Sequence, residues 1–299
     1  DMLAVRYMSK AGYDSRTLET FFRKMAQHTS ITQRVRGRPD EDPAGNIMST
    51  HPRTSDRIAQ AITLARVPPN ADPRIGREDY LARIDGMLWG DSPEEGVVHG
   101  RVFEHPELRI RFEVPPGFYL INSPSQVSAH GPDRTVILFN QLMQKEAAQV
   151  RDMRSYVSSW GGGRLRGVER IDVNGLEAAT GSARTDTSEG VRDVRLVAIR
   201  FAKDRIYRFL FLTLPEATPR RSEDLRRVTY SFRALTEAEA KTVKTLKLRV
   251  LTVNPGDTPD KLANIMPLES YKLDWFLALN GLAPGDNLAP GAKVKVVTP

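Results

Sequence analysis

Cysteine is absent from all 299 residues, which excludes a disulfide framework, a thiolate metal site and a cysteine nucleophile. The redox compartment stays open between cytosol and envelope. No apolar run approaches the ~20 residues that a membrane-spanning helix needs, so no membrane span is expected. The paired histidines of an HExxH helix are also missing. His28, His99, His105 and His130 show no i,i+4 pairing and no carboxylate arrangement of the kind a catalytic metal requires; they are expected as structural or surface side chains. A nucleophile elbow and a phosphate loop are lacking too, since GGG at 161–163 has neither the spacing nor the Lys-Ser/Thr of such a loop. The formal charge of +7 is dispersed among interleaved acidic residues. A nucleic-acid surface gathers its cations on one face with aromatics or a recognition helix, so no nucleic-acid partner is expected.

With 40% hydrophobic residues the chain can bury the cores of two or three domains. It opens DMLAVRYMSK on an acidic residue and a helical pattern, so any targeting segment is expected outside it. Ala4, Tyr7, Met8 and Ala11 recur at helical spacing and Gly12 suits the end of that helix. Asp14 or Ser15 can cap a second helix carrying Leu18, Phe21, Phe22 and Met25 at i, i+3, i+4 and i+7, so the first two elements are expected as a helix pair joined by the short AGYDS turn. From His28 to Met48 the polar stretch around RVRGRPDEDPAGN predicts a mobile loop. A third helix is predicted after Pro52, capped by Thr54 or Ser55 and striped by Ile58, Ala61, Ile62 and Ala65. Residues 1–67 thus form a helical piece, and 68–100 a linker with one short helix near Tyr80.

A new domain is expected over 101–236. Leu108, Ile110, Phe112 and Val114 alternate as a half-buried strand. Further strands are predicted at 135–142, 168–173, 176–183, 191–201 and 205–214, and helices at 146–160 and 222–232. TDTSEG at 185–190 reads as a hairpin turn. FLFLTL at 209–214 carries apolar residues on both faces, which predicts a central strand covered on both sides. The class is α+β with a largely antiparallel sheet. Residues 237–299 have a β-α-α-β order: LRVLTV, then a helix with Thr258 as N-cap and Pro259 at its first position, then LDWFLALNGL, then KVKVV.

Three resemblances rest on these residues. GDT, LNGL, LAPG and KVKVV in that order resemble a LysM domain, a module that recognises N-acetylglucosamine polymers such as peptidoglycan; the resemblance implies glycan contacts at Gly256, Asp257, Thr258, Asn280, Gly281 and Leu282. The stretch from FEHPELRIRFEVPPGFYLINSP to SFRALTEAEA is similar to the Mog/PsbP-type α/β/α sandwich. AVRYMSKAGYD followed by THPRTSDR resembles the end of the catalytic domain in zinc metallopeptidases of the CAAX-prenyl-protease kind, which include the HtpX, Oma and BepA proteins. There HExxH and an ExxxD helix hold the zinc. The resemblance implies that Asp1 orients a ligating histidine from outside the coordination shell, and that His51 stands near the open metal position as a transient ligand or oxyanion donor, with Arg57 stabilising charge beside it.

The expectation is therefore the C-terminal portion of a bacterial, periplasmic or cell-envelope zinc metalloendopeptidase: a helical remnant of the protease domain, a central sandwich and a LysM-like module. Zinc belongs to the intact parent and none is expected in this segment, since HExxH and the ligating Glu, four residues before Asp1, would lie upstream. Unfolded or misassembled envelope proteins are the implied substrates, and the upstream catalytic segment the implied partner. The competing expectation is a non-enzymatic module that binds peptidoglycan or protein.

Overall fold

The structure is a computed structural model and describes residues 2–37 and 72–299. In chain order it opens with α1 (Met2–Lys10), α2 (Thr17–Val35) and α3 (Arg77–Ile84). Strands β1 (Leu88–Trp89), β2 (Val97–His99), β3 (Val102–His105), β4 (Ile110–Glu113), β5 (Tyr119–Ser123), β6 (Gln126–His130) and β7 (Val136–Gln141) follow. Next come α4 (Gln144–Ala147), α5 (Met153–Trp160), β8 (Arg166–Val173), β9 (Leu176–Thr187), β10 (Gly190–Ala202), β11 (Arg205–Thr213) and α6 (Thr218–Ser231). The chain closes with β12 (Arg233–Ala234), α7 (Glu237–Thr242), β13 (Leu246–Thr252), α8 (Pro259–Asn264), α9 (Lys272–Asn280) and β14 (Lys293–Thr298). It divides into two compact units, one made of residues up to 89 together with 246–299, the other of 90–245.

The 90–245 unit is an α+β sandwich. Its seven-stranded antiparallel sheet runs β5-β6-β7-β11-β10-β9-β8, so β11, the strand of FLFLT, is central. Both its faces are covered. Tyr207, Phe209 and Phe211 point into a core shared with Phe112, Phe139, Leu225, Val228 and Phe232, under α6 and a four-stranded sheet ordered β12-β4-β3-β2. Ile206 and Leu210 face the other way, onto Met153 and Val157 of α5. Helix α6 turns Leu225, Val228 and Thr229 inward at i, i+3 and i+4. Its end is tied down: Ser231 Oγ accepts from Glu113 N (2.9 Å) and donates to Glu113 O, while Asn174 Nδ2 donates to the carbonyls of Tyr230 and Phe232. β9 and β10 form the expected hairpin, Thr187 facing Gly190.

In the other unit β1, β13 and β14 form an antiparallel sheet, backed by α8 and α9 around Phe276, Met266, Val294 and Val296. The β-α-α-β order of the C-terminal segment is present. Thr258 Oγ1 accepts from Lys261 N at the start of α8, and Gly281 (φ +67°) closes α9 in the left-handed region that an L side chain resists. Arg34 of α2 pairs with Asp274 of α9 at 2.7 Å, and Trp275 meets Trp89 and His28 edge to face. α2, α3 and β1, which were expected in a separate helical piece and a linker, therefore pack with the C-terminal segment.

Several expectations are corrected. The loop predicted from His28 is helical through Val35, because Thr29, Ile31 and Gln33 are buried in the fold; residues 38–48 of that stretch, and the helix predicted after Pro52, lie outside the described residues. Helix 146–160 is two helices, broken where Asp152 leaves helical geometry to accept from Ser155 N as the cap of α5. The sheet also contains β5 and β6, whose YLINS and QVSAH lack a strong alternation of apolar residues.

Phe209 is fully buried against Phe112, Phe139 and Phe232. Phe209→Ala is expected to cost about 3–5 kcal/mol, read as a lower denaturant midpoint for the transition of this unit.

Candidate functional site

A cleft of about 920 Å³ opens in the unit formed by residues up to 89 and 246–299. Helix α2 presents Phe21, Lys24, Met25 and His28 to it, at i, i+3, i+4 and i+7. Two of these belong to the apolar stripe of the second predicted helix, and Phe21 is 55% exposed and Met25 36%. Facing them are Tyr80 of α3, Trp89 of β1, Trp275 and Leu279 of α9, and Lys295 of β14. The cleft is apolar and aromatic with a cationic rim.

Its electrostatics are one-sided. Lys24, Arg77 and Lys295 are the charged residues lining it, and the described lining includes no carboxylate. Burial, with the neighbouring charges of Lys24 and Arg77, pushes the Lys295 ammonium down to about 8. Its Nζ stands over the Tyr80 ring, 5.9 Å from the ring centre. His28 is held below its usual value by loss of solvent and by the Arg36 charge, so the ring is neutral at pH 7.

The six residues that the LysM resemblance marks for glycan are engaged in the fold. Asp257 accepts from Asn254 N and Lys261 Nζ, each at 2.8 Å, and so closes the turn before α8. Thr258 is the helix cap and Gly256 has φ +82° in the same turn. Asn280 spends its amide on backbone: Nδ2 donates to Phe276 O and Lys295 O, and Oδ1 accepts from Lys295 N at 2.7 Å. It thereby fixes Lys295 at the cleft. A Cβ at Gly281 would stand 2.7 Å from Lys24 Nζ, and Leu282 packs on the core of the unit. The first group closes the start of α8, the second the end of α9.

Asp1, His51 and Arg57 lie outside the described residues. Among the described residues no group of three or more His, Asp and Glu stands where it could hold a metal ion. The other histidines serve the fold. His99 Nε2 lies 2.9 Å from Lys244 O; His105 is buried, accepts from Leu108 N, and is kept below its usual pKa by desolvation; His130 stacks on Tyr119 at 5.4 Å. No described helix is long and apolar enough to cross a membrane. The aromatic cleft itself was not foreseen. Trp89 and Trp275 are 186 residues apart in the chain and signalled nothing locally.

No family model matches the chain, and no curated protein matches it. Solved structures do. A Bacteroides thetaiotaomicron protein is similar at 10% identity and a TM-score of 0.36, over 56% of this chain and 57% of that one, little more than half its length. Cyanobacterial PsbP from Synechocystis sp. is similar at 15% identity and a TM-score of 0.33, over 48% of this chain and 98% of that one. The Ran-binding protein Mog1p of Saccharomyces cerevisiae is similar at 13% identity and 0.32, again over 48% and 98%.

Removing the Asn280 amide strands both backbone groups of Lys295, so Asn280→Ala is expected to cost roughly 1–3 kcal/mol, measured by urea melts. Lys295 supplies a pH test. The unfolded side chain keeps its proton to its ordinary 10.5 and the folded one loses it near 8, so between these values the unfolded state binds more protons and stability rises with pH. Lys295→Met is expected to be more stable than the parent at pH 7 and to lose that rise.

Proposed function

We propose that the chain is the C-terminal portion of a bacterial envelope zinc metalloendopeptidase of protein quality control, and that its cleft holds unfolded client chains for an upstream catalytic segment. The observation that carries the reading is the order of AVRYMSKAGYD and THPRTSDR at the start of the sequence. The cleft adds support. Met8, Met25, Phe21, Trp89 and Trp275 make an adaptable apolar surface that suits exposed hydrophobic segments of many sequences. Lys24 and Lys295 at its edge favour clients with acidic flanks.

The resemblance assigns the zinc ligands, HExxH and a Glu four residues before Asp1, to an upstream segment. Zinc bound there activates water and polarises the peptide carbonyl. In the same reading Asp1 would fix the orientation of a ligating histidine, His51 would serve as a transient ligand or as a donor to the oxyanion, and Arg57 would stabilise the charge there.

Residues 1–299 alone are expected to leave a reduced, unfolded protein intact when zinc is supplied, while the natural gene product cleaves it and a chelator stops the cleavage. Chelator-sensitive cleavage by residues 1–299, or a gene product without HExxH and a Glu four residues before Asp1, overturns the reading. For the cleft, Phe21→Ser and Lys24→Glu are expected to weaken binding of the same unfolded protein at least fivefold in fluorescence titration. A second reading, a peptidoglycan- or protein-binding module without catalysis, draws on the β-α-α-β segment at 246–298. Purified peptidoglycan that leaves the protein in the supernatant removes its glycan form.

A further inference from the structure

On the 90–245 unit, at one end of the face that α6 covers, the apolar core gives way to a second cleft of about 630 Å³. The sheet register aligns its floor. Arg166 of β8, Ser182 of β9, Arg195 of β10 and Phe211 of β11 are direct cross-strand partners and form one row. Two residues further along the same face, Arg184, Asp193 and Thr213 form the next row. Helix α6 overhangs both with Thr218, Ser222 and Leu225 at i, i+4 and i+7, and Arg164 stands at the edge.

The charges in this cleft do not cancel. Asp193 is its carboxylate and is already committed, accepting from Arg184 Nε at 2.6 Å and Nη2 at 3.0 Å and from Thr218 Oγ1 at 2.8 Å. Arg164, Arg166 and Arg195 line the cleft and make no ion pair among the described residues. Arg195 is the informative one. It is half-buried, its Nε is satisfied by Thr180 Oγ1 at 3.1 Å, and its two terminal nitrogens have no protein carboxylate. Burial opposes its charge, and the more distant Tyr230 and Glu169 offset only part of that loss while Arg226 adds to it. Ser182 and Ser222 line the same cleft, and their hydroxyls have no hydrogen-bond partner among the described residues.

We propose that this cleft binds a phosphate-bearing ligand, with Arg195 at its base, Arg166 and Arg164 closing on the phosphate oxygens, and Ser182 and Ser222 donating to it. A guanidinium fork pairs with two phosphate oxygens at once, and a half-buried one without an acid gains most from such a partner. The cavity is larger than a bare phosphate and in the range of pockets that hold small organic ligands, about 300–1,000 Å³, which favours a phosphate ester. Two sources share this chemistry, a soluble phosphate monoester and a phosphodiester lipid headgroup. The inference is independent of the peptidase reading.

The test is calorimetric titration of the whole chain with glycerol phosphate, inorganic phosphate and sulfate, alongside flotation with phosphatidylglycerol and phosphatidylcholine vesicles. Binding of glycerol phosphate ahead of sulfate, weakened at least tenfold by Arg195→Gln and by the exposed Arg166→Ser, supports the soluble source. Flotation with phosphatidylglycerol alone, lost in the same two variants, supports the headgroup. Arg154→Ser, the same loss of charge on α5 across the sheet, is expected to change neither. Thermal midpoints of the variants show whether each is folded, and Arg166→Ser carries the test if Arg195→Gln is not. No binding by either route, or binding that the three variants reduce equally, overturns the proposal.

Discussion

The central unit depends on one constraint: β11 must be buried on both faces. Tyr207, Phe209 and Phe211 alternate with Ile206, Leu210 and Leu212 along a strand that lies fourth of seven in its sheet. A strand with apolar residues on both sides cannot face water on either, so each face needs its own cover. One is α6 with the small sheet of β12, β4, β3 and β2, whose Phe112 and Phe232 reach the rings of Phe139 and Phe209. The other is α5, which brings Met153 and Val157. α5 comes before β8 in the chain and α6 directly after β11, so the two covers are drawn from opposite ends of the β8–β11 run.

Where a cover ends, polar chemistry begins. Along β10 the inward positions run Ile199, Val197, Arg195 and Asp193, so the alternation that builds the core continues unchanged in geometry while its side chains turn from aliphatic to charged. The Arg195 cleft is the unfinished end of the core. The cleft beside α2 has a related origin. Trp275 and Trp89 pack edge to face with their outer surfaces uncovered, and the helix opposite them supplies Phe21 and Met25 without closing over. In that gap Asn280 bonds both backbone groups of Lys295, while the buried ammonium bears its own desolvation.

Much of the fold was legible. The apolar stretches at 191–201 and 205–214, the TDTSEG turn between paired strands, the Thr258-Pro259 helix start and the Asn280-Gly281 helix end all appear where local pattern and capping chemistry put them. What local pattern missed has a common cause. The second half of α2 is polar in sequence and is helical through burial of Thr29, Ile31 and Gln33; Leu88–Trp89 is two residues long and exists as a strand through pairing with Leu246 and Lys247. Conversely, the helical spacing of Phe21 and Met25 reports a shared face and says nothing of what that face meets. The glycan-site residues were legible as a motif, but the same Asp, Thr, Asn and Gly are what capping requires.

The sequence by itself determined the class, α+β with an antiparallel sheet, the two-sided burial of FLFLTL, and the β-α-α-β order at the end, because each is written in spacing a few residues long. Only the tertiary structure decided that residues near both ends of the chain share one unit, that Trp89 meets Trp275, and that Arg166, Ser182 and Arg195 fall into one row. Those depend on strand register and on contacts between segments far apart in the chain. A side chain's type does not record which distant residue stands opposite it.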